Sequence, residues 1–75
     1  MSKLTKEKLY CYLKDKRCAL AITQKDLANR LQKPQSFVSK YESGERNLDF
    51  LDVIEVIEAL GECPEIELIR MLNLK

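Results

Sequence analysis

At 75 residues, the chain buries only about 60% of the surface its unfolded form exposes, which points to one domain over residues 1–75 and leaves little room for an enzyme cleft. Its apolar share of 45% and charged share of 33% are ordinary for a soluble globular protein, and no apolar run is long enough to span a bilayer. The net charge of +1 conceals a division. Residues 1–47 carry eleven Lys/Arg against five acids, a net +6, whereas residues 48–75 carry two bases against seven acids, a net −5. A basic front and an acidic back suit a protein that meets a polyanion on one side.

The chain has three cysteines and no histidine. Cys11 and Cys18 stand seven residues apart on one expected helix, a rise of about 10.5 Å, which a disulfide cannot bridge. Cys63 stands alone. With no paired-cysteine motif, neither a zinc site nor any other metal site is expected, and the thiols read as small apolar fillers or surface groups. No cofactor and no small-molecule ligand are implied. The start of the chain lacks an apolar signal-peptide core, so the cytoplasm is the expected location and no membrane partner is expected.

The apolar spacing predicts five helices and no strand. The first runs from about Thr5, a possible N-cap, to Cys18, with Leu9, Tyr12 and Leu13 as its inward stripe. Thr23-Gln24-Lys25-Asp26 has the form of a capping box with Asp in place of Glu or Gln, and opens a second helix that ends near Leu31. Pro34 breaks the chain and starts a third helix, which stops at Ser43 before Gly44. Asp49, with Asp52 at the third helical position, opens a fourth that runs to Leu60 and Gly61. Phe50, Val53, Ile54, Ile57 and Leu60 are its expected core face, with Asp52, Glu55 and Glu58 toward water. Pro64 begins a last helix, to about residue 73, that carries Ile66, Ile69 and Leu72 three apart. Lys14, Lys16 and Lys25 read as solvated.

Two short helices joined by a tight turn over residues 23–43 form a helix-turn-helix pattern. Ala28 supplies the small residue where the pair crosses, and Leu27, Leu31, Val38 and Tyr41 supply the buried contacts that fix the crossing. The outward face of the second helix is then Gln35, Ser36, Ser39 and Lys40. These are polar side chains able to meet base edges: Gln pairs with adenine, Ser with several bases, Lys with guanine.

The segments TQKDLANRL (23–31), PQSFVSKYE (34–42), SGER (43–46) and ALG (59–61) resemble the Cro/repressor, or xenobiotic-response-element, helix-turn-helix family over roughly residues 8–61. The resemblance implies an all-α, five-helix, lambda-repressor-like domain whose third helix enters the major groove of double-stranded DNA. Gln35 and Ser36 then match the base-reading start of that helix, with Ser39 and Lys40 further along, where Lys40 meets either a base or a phosphate. Thr23 and Gln24 match positions at the start of the second helix that hold a phosphate. Ser43, Arg46 and Asn47 match the loop along the DNA backbone. Phe37 falls at a variable position that could touch a thymine methyl or a sugar, and Arg17 and Glu42 match an ion pair between the first and third helices. The family usually carries Gly at position 32 and an apolar residue at 33. This chain has Gln32 and Lys33, and Gln in a left-handed conformation costs about 1 kcal/mol.

The expected function is that of a non-enzymatic, sequence-specific transcriptional regulator, a repressor or controller, binding a two-fold operator. Ile66, Ile69 and Leu72 either complete the monomer core or form the contacts of the expected homodimer. The competing reading is a protein-interaction adaptor that keeps the fold without binding DNA and docks through the acidic fourth and fifth helices. The basic front half and the polar face of the third helix argue against it.

Overall fold

The computed structural model describes residues 4–73 of the chain. It contains five helices, α1 (Lys6–Ala19), α2 (Gln24–Leu31), α3 (Gln35–Glu42), α4 (Phe50–Ala59) and α5 (Pro64–Leu72), and no strand among the described residues. The architecture is therefore the all-α helix-turn-helix fold that the apolar spacing predicts. Among the described residues, no helix is long and apolar enough to cross a membrane.

Local chemistry sets the helix starts. The Thr5 hydroxyl accepts from the Lys8 amide, and the Thr23 hydroxyl accepts from the Asp26 amide at 3.0 Å. A full capping box forms at α4, where Asp49 accepts from the Asp52 amide and the Asp52 carboxylate accepts from the Asp49 amide. Each arrangement satisfies amides that the helix itself cannot.

Four helix ends share one hydrogen-bond pattern. The amide two residues past the last turn reaches back five residues, and the amide before it reaches back three: Ile22 to Arg17 and Ala21 to Cys18, Lys33 to Ala28 and Gln32 to Asn29, Glu45 to Lys40 and Gly44 to Tyr41, Glu62 to Ile57 and Gly61 to Glu58. This Schellman arrangement places one residue in the left-handed region. Gly44 and Gly61 take it without strain, but α1 and α2 use Ala21 (φ 58°) and Gln32 (φ 57°). The turn of the helix-turn-helix thus holds Gln32 in the left-handed region and bears the cost of a side chain there.

The core gathers Tyr10 and Leu13 of α1, Leu27 and Ala28 of α2, Phe37, Val38 and Tyr41 of α3, Val53, Val56 and Ile57 of α4, then Leu60 and Met71. Three sequence expectations change here. On α1, Tyr10 and Arg17 are buried with Leu13, whereas Leu9 and Tyr12 are only partly buried. On α4, Val56 is fully buried while Phe50 is 68% exposed and Ile54 half-buried. The bundle wraps the middle of α4 and leaves its first turn projecting. Lys16, expected to be solvated, lies 3.4 Å from Glu67 and 3.9 Å from Glu62.

Glu67 itself is nearly fully buried, on the one α5 face that packs inward. Its carboxylate accepts from the Tyr12 hydroxyl at 2.7 Å and from Arg70 at 2.9 Å. Burial works to raise its pKa, but the Tyr12 hydrogen bond, Lys16 and Arg70 together hold it below the ordinary carboxyl value. Burial and the adjacent Glu67 push the Tyr12 hydroxyl the other way, upward. This polar cluster fastens α5 to α1. Arg30 adds a link between α2 and α4 by donating to the Ala59 carbonyl at 2.9 Å.

Candidate nucleic-acid interface

The crossing of α2 and α3 places the site. Ala28, Leu27, Val38 and Tyr41 are all buried where the two helices meet. With that face of α3 committed, Gln35, Ser36 and Lys40 remain exposed and Ser39 half-buried. Pro34 provides no side-chain cap; the Phe37 amide donates to the Pro34 carbonyl at 2.9 Å, and the Gln35 and Ser36 amides lie ahead of that bond, where the helix supplies no earlier carbonyl. The Ser39 hydroxyl turns back along α3 and donates to the Ser36 carbonyl at 3.3 Å.

The positions expected to hold the DNA backbone lie at the start of α2 and in the loop after α3. At the start of α2, Thr23 is exposed and spends its hydroxyl on the Asp26 amide. The Gln24 and Lys25 amides lie in the first helical turn, where no earlier carbonyl serves them and the helix dipole favours an anion. Beyond α3, the Ser43 hydroxyl donates to the Lys40 carbonyl at 3.0 Å, and Asn47 accepts from Lys6 at 3.1 Å. Arg46 is exposed, with its guanidinium carbon 4.7 Å from the centroid of the Phe37 ring.

Phe37, considered for a contact with a thymine methyl or sugar, is instead a core residue. It is 7% exposed and meets the Tyr41 ring edge-on, at 6.0 Å between centroids. Its position on α3 falls between the outward stripe and the buried one, and the chain covers it with the side chains that follow and precede the helix.

A charged network braces α3 from beneath. Arg17 donates through Nε to Glu42 at 2.7 Å and through Nη2 at 3.0 Å, a two-point grip, while Nη1 donates to the Ile22 carbonyl at 2.7 Å. Gln24 Nε2 donates to the same Glu42 carboxylate at 2.9 Å. The Glu42 side chain is 3% exposed. Hydrogen bonding to Glu42 raises the already high pKa of Arg17, against the opposing effect of burial. Removing one partner of such a pair leaves a buried charge and costs about 3–5 kcal/mol. Glu42 therefore ties α1, α2 and α3 together, and Gln24, assigned from the sequence to the DNA backbone, has its amide group oriented by that tie.

Sequence reasoning did not single out Lys6, whose partner Asn47 is 41 residues away, a distance no local pattern spans. Lys33 stands out in the sequence only as a departure from the family's apolar residue, although it precedes Phe37 by four residues and its ammonium lies 5.5 Å from the ring centroid. The remaining expected residues lie elsewhere. Ile66, Ile69 and Leu72 are exposed on α5, and Leu72 shares an apolar groove with Phe50, Leu9 and Met71.

The comparisons agree with this geometry. The family profile described as helix-turn-helix matches residues 13–68. An XRE-family like protein from Pseudomonas syringae pv. tomato is 41% identical, with a TM-score of 0.83 over 88% of this chain and 80% of that one. The restriction–modification controller protein C.Esp1396I is 25% identical, with a TM-score of 0.81 over 96% of this chain and 90% of that one. A Tyr-to-Phe variant of the same controller superposes with a TM-score of 0.82. Comparison with curated proteins gives no match. The polar face of α3, set on an α2 crossing of this form, and the match over most of its length make the chain a member of the XRE-type helix-turn-helix family of DNA-binding transcription regulators.

Proposed function

We propose that this protein is a sequence-specific repressor or controller that acts in the cytoplasm as a homodimer on a two-fold DNA operator. The observation that carries the reading is the exposed polar start of α3, set between two groups suited to phosphate. Gln35 and Ser36 read base edges, with Ser39 and Lys40 one turn on. The start of α2 at Thr23 and Gln24, and the loop of Ser43, Arg46 and Asn47, hold the backbone. The first sets sequence preference, and the second sets affinity and salt dependence.

Dimerisation follows from the amount of information one helix can read. An α3 of eight residues is about 12 Å long and covers only a few base pairs. Two copies spaced about 34 Å apart read two half-sites one turn of B-DNA apart. Ile66, Ile69 and Leu72, with Phe50 and Leu51, offer an exposed apolar surface for the pairing. The controller role is supported by likeness to a restriction–modification controller protein.

Selection of bound sequences from a random DNA pool, followed by titration of variants, tests the reading. Gln35→Ala costs about 1–3 kcal/mol on the selected site and relaxes one base pair per half-site, with little change on non-specific DNA. Equal loss on every duplex would remove Gln35 from base reading.

A further inference from the structure

One ring collects cations from both ends of the recognition helix. Lys33 belongs to the turn before α3, and its ammonium stands 5.5 Å from the centroid of Phe37. Arg46 belongs to the loop after α3, and its guanidinium carbon stands 4.7 Å from the same centroid. Both distances are within the range at which the negative face of an aromatic ring attracts a cation. Both side chains are exposed, so neither charge is neutralised by the contact. The ring that gathers them is fixed: Phe37 is buried, and its edge-on contact with the fully buried Tyr41 anchors it in the core. No ion pair involving Lys33 or Arg46 occurs among the described residues.

We propose that Phe37 is a positioning residue for DNA-backbone binding, holding Lys33 and Arg46 as a pair of phosphate grips around α3, and that Lys33 is a further phosphate contact. The inference rests on the DNA-binding reading above and deepens it. Lys and Arg each have several rotatable bonds, and a free side chain must give up that freedom when it grips a phosphate. A ring that already restrains both cations removes part of that loss before DNA arrives, as preorganisation does generally. The attraction is electrostatic and weak, so the cations can tilt from ring to phosphate without breaking a strong bond. Arg46 alone would hold the chain at one point beyond α3. Lys33 adds a second point before it, so the helix is braced at both ends.

Two measurements test the proposal. The first is the proton NMR spectrum of the free wild-type protein. Ring currents from Phe37 shift the Arg46 δ-methylene and Lys33 ε-methylene resonances upfield, whereas resonances at random-coil positions would overturn the restraint. The second is titration of a labelled mixed-sequence duplex at several salt concentrations. Lys33→Gln and Arg46→Gln each reduce the salt slope by about one charge per subunit. Phe37→Leu, checked for folding by circular dichroism, keeps both charges but lowers affinity about fivefold, and Phe37→Tyr, which keeps the ring, retains affinity. In the Phe37→Leu background, Arg46→Gln costs less than it does in the wild type. If the two losses simply add, or if Lys33→Gln leaves the slope unchanged, the positioning proposal fails while DNA binding stands. If the wild type itself does not bind the duplex at low salt, the DNA-binding reading fails and takes the proposal with it.

Discussion

Tyr41 combines the best and the worst of burial in one side chain. Its ring is fully buried and meets Tyr10 and Phe37 edge-on, both at 6.0 Å between centroids, an arrangement aromatic rings favour. Its hydroxyl is buried too, and no donor or acceptor reaches it. Burial, followed by the nearby Glu42 carboxylate, pushes the hydroxyl's pKa up strongly. Tyr10 solves the same problem differently, since its hydroxyl accepts from the Leu48 amide at 2.8 Å. An unsatisfied buried hydroxyl costs about 1–3 kcal/mol. Tyr41→Phe keeps the ring packing and removes that cost, so it raises stability by about 1 kcal/mol, read as a higher urea midpoint with an unchanged slope. A loss of stability would mean that the hydroxyl has a partner. The sequence marked Tyr41 as buried from its spacing to Val38, but nothing local could say whether its hydroxyl would be served.

At the scale of elements, the turn between α2 and α3 carries a cost that composition alone exposes. Gln32 sits at φ 57°, ψ 43°, where a side chain is unfavourable by about 1 kcal/mol or more. Gln32→Gly relieves the strain but loosens the unfolded chain, which offsets part of the gain. The expected outcome is a stabilisation of about 0.5–1 kcal/mol, seen as a higher melting temperature with DNA affinity unchanged. The α1–α5 contact gives a second expectation. Glu67 has a folded-state pKa below its ordinary value of 4.5, so its contribution is complete above that value and is lost as pH falls through the lower folded-state pKa. Glu67→Gln is therefore less stable than wild type at neutral pH, and the gap closes as the solution is acidified below pH 4.5. Thermal melts across that range check it, and a gap that stays constant would show the carboxylate's charge to be irrelevant.

At the scale of the whole molecule, most of the exposed large apolar side chains lie on α4 and α5. Phe50 and Leu51 are each 68% exposed, and Ile66, Ile69 and Leu72 are exposed on α5. Phe50 and Leu72 line a common groove with Leu4, Leu9 and Leu68, so the first turn of α4 and the end of α5 form one surface. A stable interface takes about 800 Å² from each partner, roughly one sixth of the 4992 Å² exposed here. If this surface pairs two copies, Ile69→Lys places two like charges near the axis and shifts sedimentation toward monomer. It also weakens operator binding far more than binding to a single half-site. A wild type that sediments as monomer both free and on DNA would exclude the pairing.

The sequence alone determined the five helices, because caps, prolines and glycines act within a few residues: Thr5, Thr23, Asp49 and Pro64 start helices, and Gly44 and Gly61 end them. It also determined the crossing of α2 on α3 and its polar outer face, since Ala28, Val38 and Tyr41 fall at helical spacing and a family resemblance fixes their register. Only the tertiary structure decided which apolar residues the bundle reaches. Helical spacing puts Phe50 on the core face of α4 and leaves Val56 off it, whereas the packing buries Val56 and leaves Phe50 in water. The same holds for polar groups. Glu67 reads as a surface acid until α1 brings Tyr12 and Lys16 to it from 55 and 51 residues away. Phe37 reads as a contact for a thymine methyl or a sugar until packing sets its ring against Tyr41, with Lys33 and Arg46 over it. Local propensity cannot express either outcome, because each depends on partners that meet only when distant segments pack.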